Sequence, residues 1–416
     1  MTTTQDRLAP RSVDVQRWPD IAPVPVAGLR SNVARLLLKR VAQQTGVRIS
    51  FPDGTSWGKD GAPTIDVLNP EQFLSRLGRD GLIGFGEAYM AGDWDSTELV
   101  SALTPMARDM ASLVPPALQW MRRWYNERHP IEEDNDRAGA QRNIARHYDL
   151  SNELFATFLD ETMSYSSALF NAPGESLVEG QHRKIGRILD AAGVKSGSRV
   201  LEIGTGWGEL ALQAAARGAD VTSVTLSAEQ AALAEQRIEA AGLTDFIDVR
   251  VQDYRDVEGQ FDAIVSVEMI EAVGERWWPT YFRTLDDRLA PGGRIALQAI
   301  LMPHDRLMAS RRSWTWIHKY IFPGGLLLSE KVIDDVCAEH ATIRVVDRVH
   351  MSASYAETLR QWRERFTAAS EQVDALGFDS TFRRMWTFYL AYCEAGFRSG
   401  YLDVAQLTLS RDGIPA

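Results

Sequence analysis

The chain predicts an α/β protein, a doubly wound and mostly parallel sheet preceded by a small α+β unit. From about residue 140 onward the runs SRVLEIG, ADVTSVTLS, DFIDVRVQD, FDAIVSVE and GRIALQAIL, rich in Val, Ile and Leu, alternate with helical stretches such as AEQAALAEQRIEAAG. Strands alternating with helices of that length are βαβ units. A glycine turn, IGTGWG, follows directly on the first of those strands, where a doubly wound sheet opens its ligand crevice. The third observation is length: at 416 residues the chain exceeds the roughly 250–300 residues at which a single core stops growing.

Residues 1–30 are rich in Pro, Thr and Arg without periodicity and read as a flexible lead-in. Residues 31–130 form the accessory unit, with a helical start (VARLLLKRVAQQ), strand-like pieces (VRISF, PTIDVL) and a glycine-punctuated helix (GLIGFGEAYMAGDW). Its last part, LVPPALQWMRRWYNERHP, sets Trp120, Trp124 and Tyr125 beside Arg122 and Arg123. Aromatic and basic residues together suit a bilayer interface; an amphipathic helix between domains accounts for them equally well. Residues 131–140 read as a charged linker, and 141–416 as the main domain, with a helical insertion at about 303–340.

Bulk properties exclude several classes. No apolar run reaches the ~18 residues of a spanning helix, and MTTTQDRLAPRS lacks a signal peptide's apolar core, so a cytoplasmic location is expected. Cys337 and Cys393 form no CxxC, and no two histidines stand at i, i+4, so no metal site is expected. A net charge of -11 argues against nucleic acid. Any membrane contact has to be local and apolar.

In RVLEIGTGWGEL the turn holds Gly204, Gly206, Trp207 and Gly208, with Glu202 just ahead of it. A dinucleotide fingerprint spaces its glycines GxGxxG, and here the third falls one residue early. That departure favours S-adenosylmethionine: the acid can meet the amino group of a methionyl moiety, and no pyrophosphate needs a helix N-terminus. The second strand ends in Thr225, Leu226 and Ser227, with Gln230 one turn on, polar groups suited to ribose hydroxyls. The third ends in Gln252, Asp253 and Tyr254, suited to adenine. Strand-end capping explains any one of these, but not the set in order.

The segments RHYDLSNELFATFLDETMSYSSALF, VLEIGTGWGELA, VTLSAEQ, QDYRDVEGQFDAIVSVEMIEAVG, WIHKYIFPGG and SYAETLRQWRERF run in that order between about residues 145 and 400. With them the chain resembles the cyclopropane-fatty-acyl-phospholipid and mycolic acid cyclopropane synthases. The resemblance implies a class I S-adenosylmethionine-dependent methyltransferase domain whose helical insertion lines an acyl pocket. It implies that LDETMSYSSALF folds over the cofactor, with Tyr165 and Ser166 as contacts and Tyr148 nearby. It also implies a substrate, the cis double bond of an unsaturated acyl chain on a phospholipid, and so peripheral contact with the inner membrane face.

Transfer of a sulfonium methyl to a π bond leaves a carbocation that water would trap, so the pocket must be dry and lined by aromatic and apolar groups. Trp314, Trp316, Tyr320, Phe322 and Pro323 are candidates, with ordinary helix core as the other reading. A proton must then leave. The resemblance implies a site where a carboxylate, a histidine and a tyrosine hold a bicarbonate ion; the carboxylate falls on Glu271 and the tyrosine on Tyr355. Glu268 has the helical spacing to share a face with Glu271, and close carboxylates in a dry site raise one pKa toward proton transfer. A solvated Glu268 is the other reading.

Two departures bear on the product. Where those synthases carry TYSCAYF this chain has SYSSALF, so Ser167 replaces a cysteine; where they carry LHTIG it has LQAIL, so Gln298 replaces the histidine. Glutamine can hydrogen-bond an anion but cannot carry charge or relay a proton. The cation either closes to a cyclopropane or, after a hydride shift, loses a proton to give an exocyclic methylene. The chain also resembles the actinobacterial subgroup linked to 10-methyl (tuberculostearic) fatty acids, whose methylene lipid a separate reductase saturates. The methylene is therefore expected, with the cyclopropane as the alternative. A soluble O- or N-methyltransferase and a non-catalytic lipid carrier are the competing classes, and a homo-oligomer is left open.

Overall fold

The computed structural model describes residues 13–26, 28–109, 135–137, 139–140, 142–143 and 151–411. Tyr148 and the stretch from Trp120 to Tyr125 lie outside the described residues. Two compact units share the chain: residues 1–128, 313–321 and 366–401 form one, and 129–312, 322–365 and 402–416 the other. The boundary expected near residue 130 misses the two later segments that return to the first unit.

In the first unit, helix Leu29–Thr45 precedes β1 (Arg48–Ser50), β2 (Ser56–Trp57), β3 (Thr64–Val67) and β4 (Trp94–Asp95), ordered β2-β1-β3-β4. Helices Pro70–Asp80 and Leu82–Ala91 connect β3 to β4. The glycines of LIGFGEAYMA are a packing requirement. A Cβ at Gly84 would lie 2.0 Å from the carbonyl oxygen of Arg76, and one at Gly86 2.5 Å from the Trp316 indole. Trp316 is buried there, with the Phe388 ring edge-on at 4.9 Å. The Tyr320 hydroxyl donates to buried Glu87 at 2.8 Å. For these two aromatics of the insertion, helix core is the reading that holds.

The second unit carries a seven-stranded sheet: β5 (Arg199–Ile203), β6 (Asp220–Thr225), β7 (Ile247–Val251), β8 (Phe261–Val267), β9 (Leu289–Leu301), β10 (Arg344–His350) and β11 (Asp403–Ser410). Its order is β10-β11-β9-β8-β5-β6-β7. The five strands expected from the sequence run parallel, and β11 lies antiparallel between β9 and β10. Successive β5 residues serve opposite faces, as a pleat requires. Leu201 and Ile203 join a core with Phe282 and Leu285 of helix Trp278–Arg288; Val200 joins one with Ile185 and Ile188 of helix Leu177–Ala191. The connections reverse direction at β5, between β8 and β6, which is the topological switch point. Among the described residues no helix is long and apolar enough to cross a membrane, and no group of three or more His, Cys, Asp or Glu is placed to hold a metal ion.

Candidate active site

A crevice opens at the carboxyl ends of the central strands. Gly204, Gly206 and Gly208 hold φ of 98°, 53° and 89°, the left-handed region that glycine enters freely. Gly208 has a second constraint, since a Cβ there would stand 3.1 Å from that of Ala234. Gly208→Ala is expected to lower stability by ~1–2 kcal/mol and to weaken binding of S-adenosylhomocysteine, read as a smaller ligand-induced rise in Tm.

Tyr165, Ser166, Glu202, Gly204, Gly206, Trp207, Thr225, Leu226, Gln230, Asp253 and Tyr254 all line this crevice. Glu202 is buried and accepts a hydrogen bond from the Ser223 hydroxyl. Burial pushes its carboxyl up to about 8, against the opposing pull of Ser223 and Lys184. A buried acid held protonated on a crevice wall fits a ligand that brings its own cation, as the methionyl amino group does. Asp253 is held on both oxygens by the Arg255 guanidinium, at 2.8 and 2.6 Å, and retains lone pairs for a further donor. Ser227 instead caps helix Ala228–Ala240, accepting from the Gln230 amide at 3.2 Å, so capping accounts for it.

The segment LDETMSYSSALF is pinned through its backbone. Gln181 Nε2 donates to the carbonyls of Ser164 and Ser166 at 3.3 and 2.9 Å, and the amide of Ala168 donates to Thr358 Oγ1 at 3.1 Å. The Tyr165 ring sits edge-on to Phe155 at 5.1 Å and tilted against Trp362 at 5.2 Å. Trp207 Nε1 donates to Asn152 Oδ1 at 2.7 Å, tying the glycine turn to helix Asn152–Ala156.

Two wall residues escaped the sequence reading. Lys184, 2 % exposed, lines the crevice and donates to Ser166 Oγ at 2.7 Å. Burial lowers its ammonium to about 8, while the carboxylates of Glu268, Asp160, Glu209 and Glu202 pull it back up. The available signal was a lysine on the buried stripe of VEGQHRKIGRIL, beside Ile185 and Ile188. Asn135, read as linker, is buried on the crevice wall and donates to the Gly324 carbonyl at 2.8 Å.

A second cluster adjoins the first through Glu268, which lines the crevice. Its Oε1 accepts from the Ser167 amide at 2.9 Å and from Gln298 Nε2 at 2.7 Å, and its Oε2 accepts from the Tyr355 hydroxyl at 2.6 Å. The solvated reading therefore fails. So does the shared helical face: Glu268 closes β8 with φ of 50°, and only Ile270–Ala272 forms a short 3-10 turn. Burial raises the Glu268 pKa, opposed by the Tyr355, Ser167 and Gln298 hydrogen bonds and by Lys184. Glu271 turns toward β9, its Oε1 accepting from the Ile300 amide at 2.5 Å, while its buried Oε2 has no partner among the described residues. Burial, then the neighbouring charge of Glu268, pushes Glu271 up to about 8. The hydroxyl of Ser167 donates to the Ala168 carbonyl and stays out of the cluster.

This arrangement does not suit a bicarbonate ion. The Tyr355 hydroxyl, the Ser167 amide and both hydrogens of Gln298 Nε2 are already engaged, by Glu268 and by the Ser167 carbonyl. An added anion would also face two acids. The Glu268 carboxylate takes the hydrogen bonds that these groups would offer such an ion.

The chain is 51% identical to the tuberculostearic acid methyltransferase UfaA1 of Mycobacterium tuberculosis, over 427 residues covering 100% of both chains. It is 36% identical to the cyclopropane-fatty-acyl-phospholipid synthase of Escherichia coli, over 83% of this chain and 87% of that one. Among solved structures, the cyclopropane synthase MmaA2 of Mycobacterium tuberculosis and the mycolic acid cyclopropane synthase CmaA1 each align with a TM-score of 0.60 at 28% identity, covering 65% of this chain and 97% of theirs. The CmaA1 structure holds S-adenosylhomocysteine, and this chain is an S-adenosylmethionine-dependent enzyme with a class I methyltransferase fold. The family model of mycolic acid cyclopropane synthetases matches residues 135–407, and the chain belongs to that family.

Proposed function

We propose that the protein methylates the cis double bond of an unsaturated acyl chain on a phospholipid and releases a methylene-bearing chain. The observation that carries this reading is the buried side chain of Glu268 on the wall of the crevice, hydrogen-bonded by the Tyr355 hydroxyl. Full-length likeness to a tuberculostearic acid methyltransferase supports it.

S-adenosylmethionine supplies an electrophilic methyl group on a sulfonium centre. The alkene π pair forms the new C–C bond as the S–CH3 bond breaks, which leaves a cation on the neighbouring carbon. A hydride shift moves the cation to the carbon bearing the new methyl. Loss of a proton from that methyl turns its C–H pair into the exocyclic double bond. The chain's part is to exclude water, to hold the alkene against the methyl, and to take up that proton in the cluster of Glu268, Gln298, Tyr355, Ser167 and Glu271. The lipid substrate places the protein peripherally on the inner membrane face, and a separate reductase then saturates the methylene. Likeness to a cyclopropane-fatty-acyl-phospholipid synthase keeps ring closure as the second reading.

Mass spectrometry of lipids from a host fed oleate and expressing the chain separates the two. The expected product gains one carbon and takes up hydrogen on catalytic hydrogenation; a product that resists is a cyclopropane. In Gln298→His, a residue that can carry charge replaces one that cannot, and the cyclopropane share is expected to rise from near zero to a detectable fraction.

A further inference from the structure

We infer that Glu268 is the proton acceptor of the reaction and that Arg187 is the positioning residue that aims it, acting through Gln406 and Gln298. The inference rests on the carbocation reading above.

A carboxylate has about four lone-pair sites. In Glu268 both on Oε1 are filled, by the Ser167 amide and Gln298 Nε2, and one on Oε2 is filled by the Tyr355 hydroxyl. One site remains, on Oε2, in a side chain that lines the cofactor crevice. Glu271 is not among the residues that line it. The backbone is shaped to this end: a φ of 50° at a residue with a side chain is sparsely populated and persists only where the surroundings enforce it. Here the Glu268 amide donates to the Gln298 carbonyl at 2.8 Å, so main chain and side chain of the two residues are tied together.

The donors on Glu268 are held by a directional chain. Arg187 Nη1 donates to Gln406 Oε1 at 2.7 Å, and Gln406 Nε2 donates to Gln298 Oε1 at 3.1 Å. Gln298 Nε2 then donates to Glu268. Neither amide can reverse, because each Nε2 also faces a backbone carbonyl, that of Lys184 for Gln406 and that of Ser167 for Gln298. A guanidinium offers donors only, so its charge fixes the sense of the whole chain and ends it on a carboxylate. Against its burial, these donors and the charge of Lys184 favour the ionised form of Glu268, while the charge of Glu268 adds to what raises Glu271. In the step itself the methyl C–H bond breaks, its electron pair becomes the C=C bond, and the proton goes to Oε2 of Glu268, leaving a neutral acid.

The test uses the purified full chain with S-adenosylmethionine and vesicles of a phospholipid carrying oleoyl chains. Glu268→Gln is expected to lose at least about 100-fold in turnover with S-adenosylhomocysteine affinity, by calorimetry, within about 3-fold of the parent. Glu268→Gly is expected to recover turnover on addition of formate, which the parent ignores. Arg187→Met is expected to lower kcat about 10-fold at an unchanged KM for the cofactor, and Arg187→Lys to restore it. Parent-like turnover in Glu268→Gln, or a parent that needs added bicarbonate, overturns the inference alone. A parent chain that binds S-adenosylhomocysteine but leaves oleoyl chains unmethylated overturns the functional reading and this inference with it.

Discussion

Glu202→Gln is expected to weaken S-adenosylmethionine binding by about 10–100-fold, the factor that corresponds to a buried charge-assisted hydrogen bond of ~1.5–3 kcal/mol. Its pH dependence makes the result specific. Burial holds the Glu202 carboxyl up to about 8 in the ligand-free protein, so below that pH a proton must leave before the acid can meet the cofactor's ammonium. Affinity of the parent should therefore rise with pH and level off above about 8, and that of the variant should not. Stability moves the other way. A folded pKa raised above the unfolded one gives a contribution that is present below the ordinary carboxylate range and lost as pH rises through the folded value. The ligand-free parent should lose Tm relative to the variant between pH 5 and about 8. Calorimetry and melting curves at both ends of that range check the two trends, and equal affinities in parent and variant would remove Glu202 from the cofactor site.

Lys184→Met should be nearly as disruptive. Lys184 is a buried cation among the carboxylates of Glu268, Asp160, Glu209 and Glu202, and removing one partner from a buried charged network costs about 3–5 kcal/mol. Burial has lowered its ammonium to about 8, so the parent carries that charge below this pH and gives it up above. Because the folded pKa is lowered, the unfolded chain binds the extra proton above about 8, so the stability gap between parent and variant should be narrowest near pH 6 and widen as pH rises past about 8. Urea melts at two pH values measure it. A gap independent of pH would mean that Lys184 matters for packing alone.

The parallel half of the second unit was legible because its strands are short runs rich in Val, Ile and Leu that alternate with helical stretches. The last two strands were not. RVVDRVH alternates charge along β10, and VAQLTLS buries Gln406 and Thr408 in β11, so neither reads as an apolar run. That the glycine turn and the strand-end polar residues line one crevice was legible for a different reason, since they lie close to one another in sequence. The Glu268 cluster joins residues 167, 268, 298 and 355, and its support adds 187 and 406. Spacing says nothing about groups brought together from six different segments of the chain. Glu268 itself was placed on a helix face because i and i+3 invite it; the strand end, with its left-handed turn, overrode that pattern.

A unit assembled from residues 1–128, 313–321 and 366–401 also dictates how the protein is made. When the N-terminal stretch leaves the ribosome, Gly86 faces no Trp316, and the carbonyls of Tyr89 and Trp94 lack the Arg384 guanidinium that bonds them in the finished fold. The sheet of the other unit is synthesised almost entirely before that arginine appears. Vectorial synthesis thus leaves the first-made part of the chain to be completed near the end, and a fragment ending at residue 128 lacks the side chains that fill its own core.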